Sequence, residues 1–171
     1  KKIGAPQQPE LAVGAVTSDG VVVVDHRLID YLGVPNLYLE REVSYLVNKT
    51  KEQECTLRKM AGLKFDLQLK DKNVIVVDDG VATGMTAIAA ARSLHKHSAR
   101  KLIFATPVAS EQAYKVLCKE YDSVIVLEIP SEFKAVGQFY KDFCQVEDLE
   151  VIRALALAGN EHMVRVGGLI K

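Results

Sequence analysis

Two adjacent carboxylates close a run of β-branched residues in Val74-Ile75-Val76-Val77-Asp78-Asp79-Gly80-Val81-Ala82-Thr83-Gly84-Met85-Thr86. Ionised Asp78 and Asp79 are hydrogen-bond acceptors and hard oxygen ligands, so they suit the hydroxyls of a sugar or a divalent metal. The small residues after them, Gly80, Ala82, Thr83, Gly84 and Thr86, suit an anion. Glycine lets the backbone approach a phosphate closely, and a helix that starts there presents unbonded N–H groups with a partial positive charge. Acids for a sugar beside a loop for a phosphate make up the chemistry of a phosphorylated ribose. The plainer alternative leaves Asp78 and Asp79 as loop caps and Gly84 as a turn residue.

Such a site needs a strand to end at the acids and a helix to begin after the loop. The run Val74 to Val77 is apolar without interruption, which predicts a strand buried on both faces, as in a parallel sheet. Ala87, Ile88, Ala91 and Leu94 recur at helical spacing behind the loop, with His95, Lys96 and His97 near the favourable C-terminus. Leu102–Ala105 and Val124–Leu127 read as further buried strands. Between them Ser110 is a plausible N-cap for a helix that uses Ala113, Val116 and Leu117. Strands and helices alternating from Val74 to Leu127 predict right-handed βαβ units, with ligands beyond the carboxyl ends of the strands.

Upstream, residues 1–10 are polar, contain Gly4, Pro6 and Pro9, and read as a loop. Leu11–Val16 and Val21–Val24 flank Thr17-Ser18-Asp19-Gly20, a hairpin signal. Asp25 is placed to cap a short helix through Leu32, ended by Gly33 and Pro35. A longer helix starts near Asn36 with the stripe Leu39, Val43, Leu46 and Val47, continues through a charged solvent face from Lys49 to Lys59, and closes at Gly62. Residues 64–73 read as a polar connection. Residues 147–158 read as a helix with Leu149, Ile152 and Ala156 on one face, and 159–171 carry no clear signal.

The chain has 171 residues, 49% hydrophobic and 26% charged, with 22 basic and 22 acidic side chains. That is enough for one domain with a core, taken as residues 1–171. The balanced charge gives no sign of a general nucleic-acid binder, and no apolar run is long enough to span a membrane. Cys55, Cys118 and Cys144, and the four histidines, show no metal-ligand spacing. Reduced thiols and a cytoplasmic protein are the expectation. Lys1-Lys2-Ile3-Gly4 is not a typical start, so the numbering is expected to begin inside a longer protein.

The run from Val74 to Thr86 resembles the phosphoribosyl-diphosphate (PRPP) motif of type I phosphoribosyltransferases. A second stretch, Glu128 to Phe143, is rich in aromatics and follows a strand. It resembles the hood of 6-oxopurine phosphoribosyltransferases, where Glu-x-Pro-x-x-Phe leads to Val-Gly and an aromatic-Asp-aromatic ending, here with a one-residue shift before Gly137. The opening Lys1-Lys2 and the Gly/Pro/Gln-rich segment after it resemble a basic pair at a strand end leading into the flexible catalytic loop. The chain as a whole, over about residues 1–150, is similar to bacterial phosphoribosyltransferases of undefined base.

The resemblance implies an α/β, type I phosphoribosyltransferase-like fold: a central parallel sheet flanked by helices, a β-hairpin and flexible loop near the N-terminus, and a small hood over about residues 128–145. By the same alignment the family's first strand and pyrophosphate loop fall before Lys1. The implied activity is Mg²⁺-dependent transfer of 5-phosphoribosyl from PRPP to a nitrogenous base with release of pyrophosphate, in nucleotide synthesis or salvage. Asp78 and Asp79 would act on the ribose and metal, and Lys2 on the pyrophosphate. Gly80, Val81, Ala82, Thr83, Gly84, Met85 and Thr86 would cradle the 5′-phosphate. Phe133 would stack on the base, backbone near Ala135 would read its edge, and Asp142 would lie near the metal. Ala82 stands where 6-oxopurine enzymes carry an Asp, which leaves that acid–base role without an occupant. Other expectations are a homodimer, no membrane and no nucleic-acid partner. A PRPP or nucleotide-binding regulatory or structural domain on the same fold is the alternative.

Overall fold

The computed structural model describes residues 1–63 and 69–160. The connection expected at 64–73 therefore lies partly outside the described residues, as does the tail from 161 onward.

Residues 1–10 are not a loop. Lys2–Ala5 (β1) and Gln8–Val16 (β2) form an antiparallel pair turned at Pro6-Gln7, where Gln7 takes a positive φ of 64°. Ile3 and Ala5 are buried. That alternation is the signal of a half-buried strand, but it spans only two apolar positions, Ile3 and Ala5, before Pro6 and is too short to read from sequence. The segment expected to be a flexible catalytic loop is thus a tight hairpin. Val22–Val24 (β3) pairs with the other edge of β2.

Two helices cover this first sheet. His26–Leu32 (α1) starts where the Asp25 carboxylate accepts the Leu28 N–H at 3.1 Å, and ends at Gly33 in the left-handed conformation. Asn36–Met60 (α2) follows Pro35 directly. Its Leu46 is buried, and Tyr38, Leu39, Val43 and Val47 pack with Ile3, Ala5, Val13, Val16 and Ile29. The charged half of α2 simply continues the same helix, as the sequence predicts.

Asn73–Val77 (β4), Lys101–Val108 (β5) and Ser123–Glu128 (β6) form a parallel sheet in the order β4-β5-β6. Its crossovers are Met85–His95 (α3) and Glu111–Leu117 (α4). Both helices pack on one face of the sheet. Val74, Val76, Leu102, Phe104, Val124 and Val126 meet Ala87, Ile88, Ala91, Ala113 and Leu117 there. The opposite face is open: Ile75 is 62% exposed, Val77 74%, Ile125 52% and Leu127 83%. The strands are apolar on both faces, as their sequences say, but the helices among the described residues cover only one. Burial on both faces was therefore the wrong expectation for β4 and β6.

Helix α3 also reaches the first sheet, because Ala15, Val21 and Val23 share its cluster. Asp148–Asn160 (α5) packs against α2, with Ile152 and Ala156 half-buried and Leu149 left largely exposed. No helix among the described residues is long and apolar enough to cross a membrane.

Candidate active site

The acids sit where β4 ends. The Asp78 N–H still donates to Ala105 O of β5, at 3.3 Å, so the first acid is held by the sheet. One residue on, the Asp79 N–H turns back to Asp78 Oδ1 at 3.0 Å. Asp78 is half-buried and Asp79 exposed. Burial pushes the Asp78 carboxyl above the usual carboxylate range, and the Asp79 charge adds to the rise. The Asp79 N–H and the Lys2 charge pull the other way. The first strand thus brings Lys2 close enough for its ammonium to act on Asp78.

The loop beyond the acids is strapped to the sheet on one side. The Val81 N–H donates to Val108 O at 2.9 Å, and Val81 O accepts the Ser110 N–H at 2.9 Å. The Ser110 hydroxyl caps α4 by accepting the Ala113 N–H, and donates to Ala82 O at 2.7 Å. Gly84, at φ 80°, then starts α3 in a conformation that side-chain-bearing residues avoid. The first intrahelical bond is Ile88 N–H to Gly84 O. Among the described residues, the N–H groups of Ala82, Thr83, Gly84, Met85, Thr86 and Ala87 meet no protein acceptor. Free donors at a helix start bind anions well. The Thr83 and Thr86 hydroxyls are likewise unused among the described residues. Val81 differs from its neighbours: it is buried and its N–H is taken by β5, so it braces the loop and offers a phosphate nothing.

The hood comes to the same edge. After β6 the chain makes a 3-10 turn at Val136–Phe139. The Val136 isopropyl group fills the space above Gly80 that a Cβ would need. The Tyr140 hydroxyl donates to Asp79 O at 2.5 Å. Phe133 pairs with Phe139 at 5.2 Å between ring centres, and Tyr140 with Phe143 at 5.1 Å. The hood aromatics thus pack in pairs. The Ala135 N–H donates to Gln138 Oε1, so the donor expected to read a base edge is engaged within the hood. Asp142 accepts from Cys144 Sγ at 2.9 Å. Among the described residues no three His, Cys, Asp or Glu side chains gather as a metal set, so Asp142 does not complete one with Asp78 and Asp79.

Asp78, Asp79, Lys2 and the loop from Gly80 to Thr86 are therefore brought together, with Phe133 and Ala135 on the hood docked against them. Sequence reasoning missed Ser110 as a tie to Ala82, and Tyr140 and Val136 as the hood's contacts with the loop. Only the helix-cap signal at Ser110 was visible in advance.

The donor set suits Mg²⁺. Two adjacent carboxylates, one held above its usual pKa by burial and by its neighbour, gain from a hard cation. Mg²⁺ is commonly bound by one or two carboxylates together with water and substrate phosphates.

A parallel sheet with acids at a strand's carboxyl end, beside a helix that opens with free N–H groups, defines an α/β protein of the class that holds its ligands beyond the carboxyl ends of the strands. The match to known proteins is narrower. Residues 7–143 match the family described as phosphoribosyl transferase domain. The chain is 33% identical over 157 residues to proteins named "Putative phosphoribosyl transferase" in two strains of Mycobacterium tuberculosis, a match that covers 91% of this chain and 34% of theirs. A ribose-phosphate pyrophosphokinase of Sulfurisphaera tokodaii is 38% identical over 65 residues, covering 38% of this chain and 22% of its own. The crystal structure of TT1426 from Thermus thermophilus superposes with a TM-score of 0.68 at 34% identity, covering 92% of this chain and 73% of that one. The chain belongs to the type I phosphoribosyltransferase family and has its fold. It spans about a third of the length of the M. tuberculosis relatives.

Proposed function

We propose that this chain binds Mg-PRPP and transfers its 5-phosphoribosyl group to a nitrogenous base. The observation that carries the reading is the juxtaposition of Asp78 and Asp79 with the unengaged N–H groups from Ala82 to Ala87. The 5′-phosphate would lie on those N–H groups and the Thr83 and Thr86 hydroxyls, with Asp78 and Asp79 on the ribose hydroxyls. Pyrophosphate leaves C1 as the base nitrogen attacks, and positive charge grows on the ribose ring. Carboxylates already fixed at the strand end stabilise that charge without reorganising. Lys2, whose charge reaches Asp78, would meet the leaving pyrophosphate. Mg²⁺, when bound, would be held by Asp78 and Asp79 and would offset charge on the diphosphate. The protein positions and stabilises, and no covalent nucleophile is needed.

The accompanying physiology is nucleotide synthesis or salvage in the cytoplasm, by a single domain able to pair as a homodimer. Calorimetric titration of Mg-PRPP tests the reading. Saturable binding is expected, and Asp79→Asn, an exposed position, is expected to weaken it at least about tenfold with no loss of folding. Wild-type affinity in that variant would refute the site. Binding without pyrophosphate release in a screen of bases would favour a regulatory PRPP domain over an enzyme.

A further inference from the structure

We infer that Tyr140 is a positioning residue that latches the hood to the ribose-and-phosphate loop, so that filling the loop orders the hood. The inference rests on the PRPP reading for its ligand, but its geometry stands alone.

The hood is stapled internally. Gln138 Oε1 accepts the N–H groups of Lys134 and Ala135, at 2.9 and 3.2 Å, while its Nε2 donates to Glu132 O at 3.1 Å. One side chain thus ties three backbone positions and makes residues 132–138 move as a piece. Phe133 on Phe139 adds an aromatic contact that extends the piece to residue 139. Two contacts join it to the loop. The first is apolar: Val136 sits over Gly80. The second is polar and directional: the Tyr140 hydroxyl donates to Asp79 O across 61 residues of sequence. The Tyr140 ring is itself held, against Phe143, and its N–H donates to Gly137 O at 3.3 Å.

The carbonyl that Tyr140 grips belongs to the peptide between the second acid and Gly80. That peptide leads from the ribose-binding carboxylates into the phosphate loop. Any ligand that fixes Asp79 and the N–H groups beyond it also fixes this carbonyl, and through it the hood. Phe133 and the Ala135 backbone, the groups nearest to a base-reading role, lie on the piece so positioned. Ordering the phosphoribosyl side first would then prepare the base side, with Tyr140 touching neither ligand.

The test is amide hydrogen exchange of peptides spanning residues 128–146 in the full chain, with and without Mg-PRPP, in the wild type and in Tyr140→Phe. The phenyl ring retains the contact with Phe143 and loses only the donor. Saturating Mg-PRPP is expected to slow hood exchange about fivefold in the wild type, the scale of one net hydrogen bond, and hardly at all in Tyr140→Phe. PRPP affinity is expected to stay within about threefold in the variant, because the hydroxyl touches no ligand. A purely structural role would speed exchange equally with and without ligand. Val136→Ala, which loosens the apolar contact and retains the hydroxyl, is expected to preserve most of the ligand-dependent slowing. Slowing that persists in Tyr140→Phe, or its absence in a wild type that binds PRPP, would overturn the latch. A wild type that does not bind Mg-PRPP would instead refute the proposed function. The latch would then be decided with inorganic phosphate in place of PRPP: slowing of hood exchange in the wild type but not in Tyr140→Phe supports it, and slowing in both or in neither overturns it.

Discussion

Replacing Gly80 by alanine should destabilise the protein through one identifiable contact. The backbone at Gly80 does not require glycine, since its φ lies outside the left-handed region. Alanine there even restricts the unfolded chain, which by itself stabilises by about 0.4–1 kcal/mol. The added Cβ, however, would overlap Val136 Cγ1 and stand 3.0 Å from both Val136 Cγ2 and Val108 Cγ1. Neither valine can swing aside, because β-branched side chains are stiff at χ1 and Val108 is buried. Overpacking of this kind costs about 1–3 kcal/mol. The net loss should be about 1–2 kcal/mol after the backbone gain is subtracted. Urea unfolding of Gly80→Ala, Val136→Ala and the double variant measures it. Val136→Ala alone should cost about 1 kcal/mol, since the side chain is half-buried and loses two methyl groups. If the clash is the cause, the double variant should be little worse than Val136→Ala, a coupling of about 1 kcal/mol between the sites. A Gly80→Ala protein with the wild-type midpoint, or strictly additive losses, would refute the docking of the hood on this loop.

Asp78→Asn should abolish Mg-PRPP binding and yet raise the melting temperature. Burial and the Asp79 charge hold the folded Asp78 carboxyl above its unfolded value, so its ionised form works against folding at neutral pH. That penalty is absent below the unfolded carboxylate range and complete above the raised folded value. The variant's advantage in melting temperature should therefore shrink as pH falls through that window, and an advantage independent of pH would contradict the assignment. Glu54 runs the opposite way: the Ser18 hydroxyl holds its carboxyl low against the effect of burial, with Arg58 assisting. Its contribution is present above the unfolded carboxylate range and lost as pH falls through the folded value, so Ser18→Ala should flatten the acid side of a stability-against-pH curve measured by urea unfolding. Ser110→Ala removes both the α4 cap and the tie to Ala82. It should lose about 1–2 kcal/mol by urea unfolding and also weaken Mg-PRPP binding in calorimetry, whereas loss of a cap alone would leave affinity unchanged.

The parallel half of the fold was legible because its signals are local. Four apolar residues, two acids and a small-residue loop lie together in sequence, and Asp25, Gly33 and Ser110 mark helix ends by their own chemistry. The first strand was hidden because Ile3 and Ala5 give only two beats of alternation, and Pro6 argues for a turn before it argues for a hairpin. The exposure of Ile75, Val77, Ile125 and Leu127 was illegible for a different reason. A strand's composition reports what its faces could bury and is silent on whether a helix arrives to cover them. The contacts of Tyr140 and Val136 with the acid loop cross more than fifty residues, so no window along the chain could pair them. Val81 misled because motif reasoning treats loop residues as equivalent, whereas one β-bridge beside Val108 took its N–H out of the set.

Lys2 and Asp78 ride on different sheets, and no hydrogen-bonded ladder runs between the two among the described residues. Helix α3 joins the two sheets in one core, where Ala15, Val21 and Val23 share a cluster with its Ala87, Ile88 and Ala91. The relation of the lysine's sheet to the acid's sheet therefore depends on the packing of this cluster. Enlarging fully buried Ala15 or Ala91 would act as a shim: it would part the sheets and draw the lysine away, and the Asp78 carboxyl would register the change by titrating at still higher pH. Two residues that never touch a ligand would in this way tune the charge balance of the site.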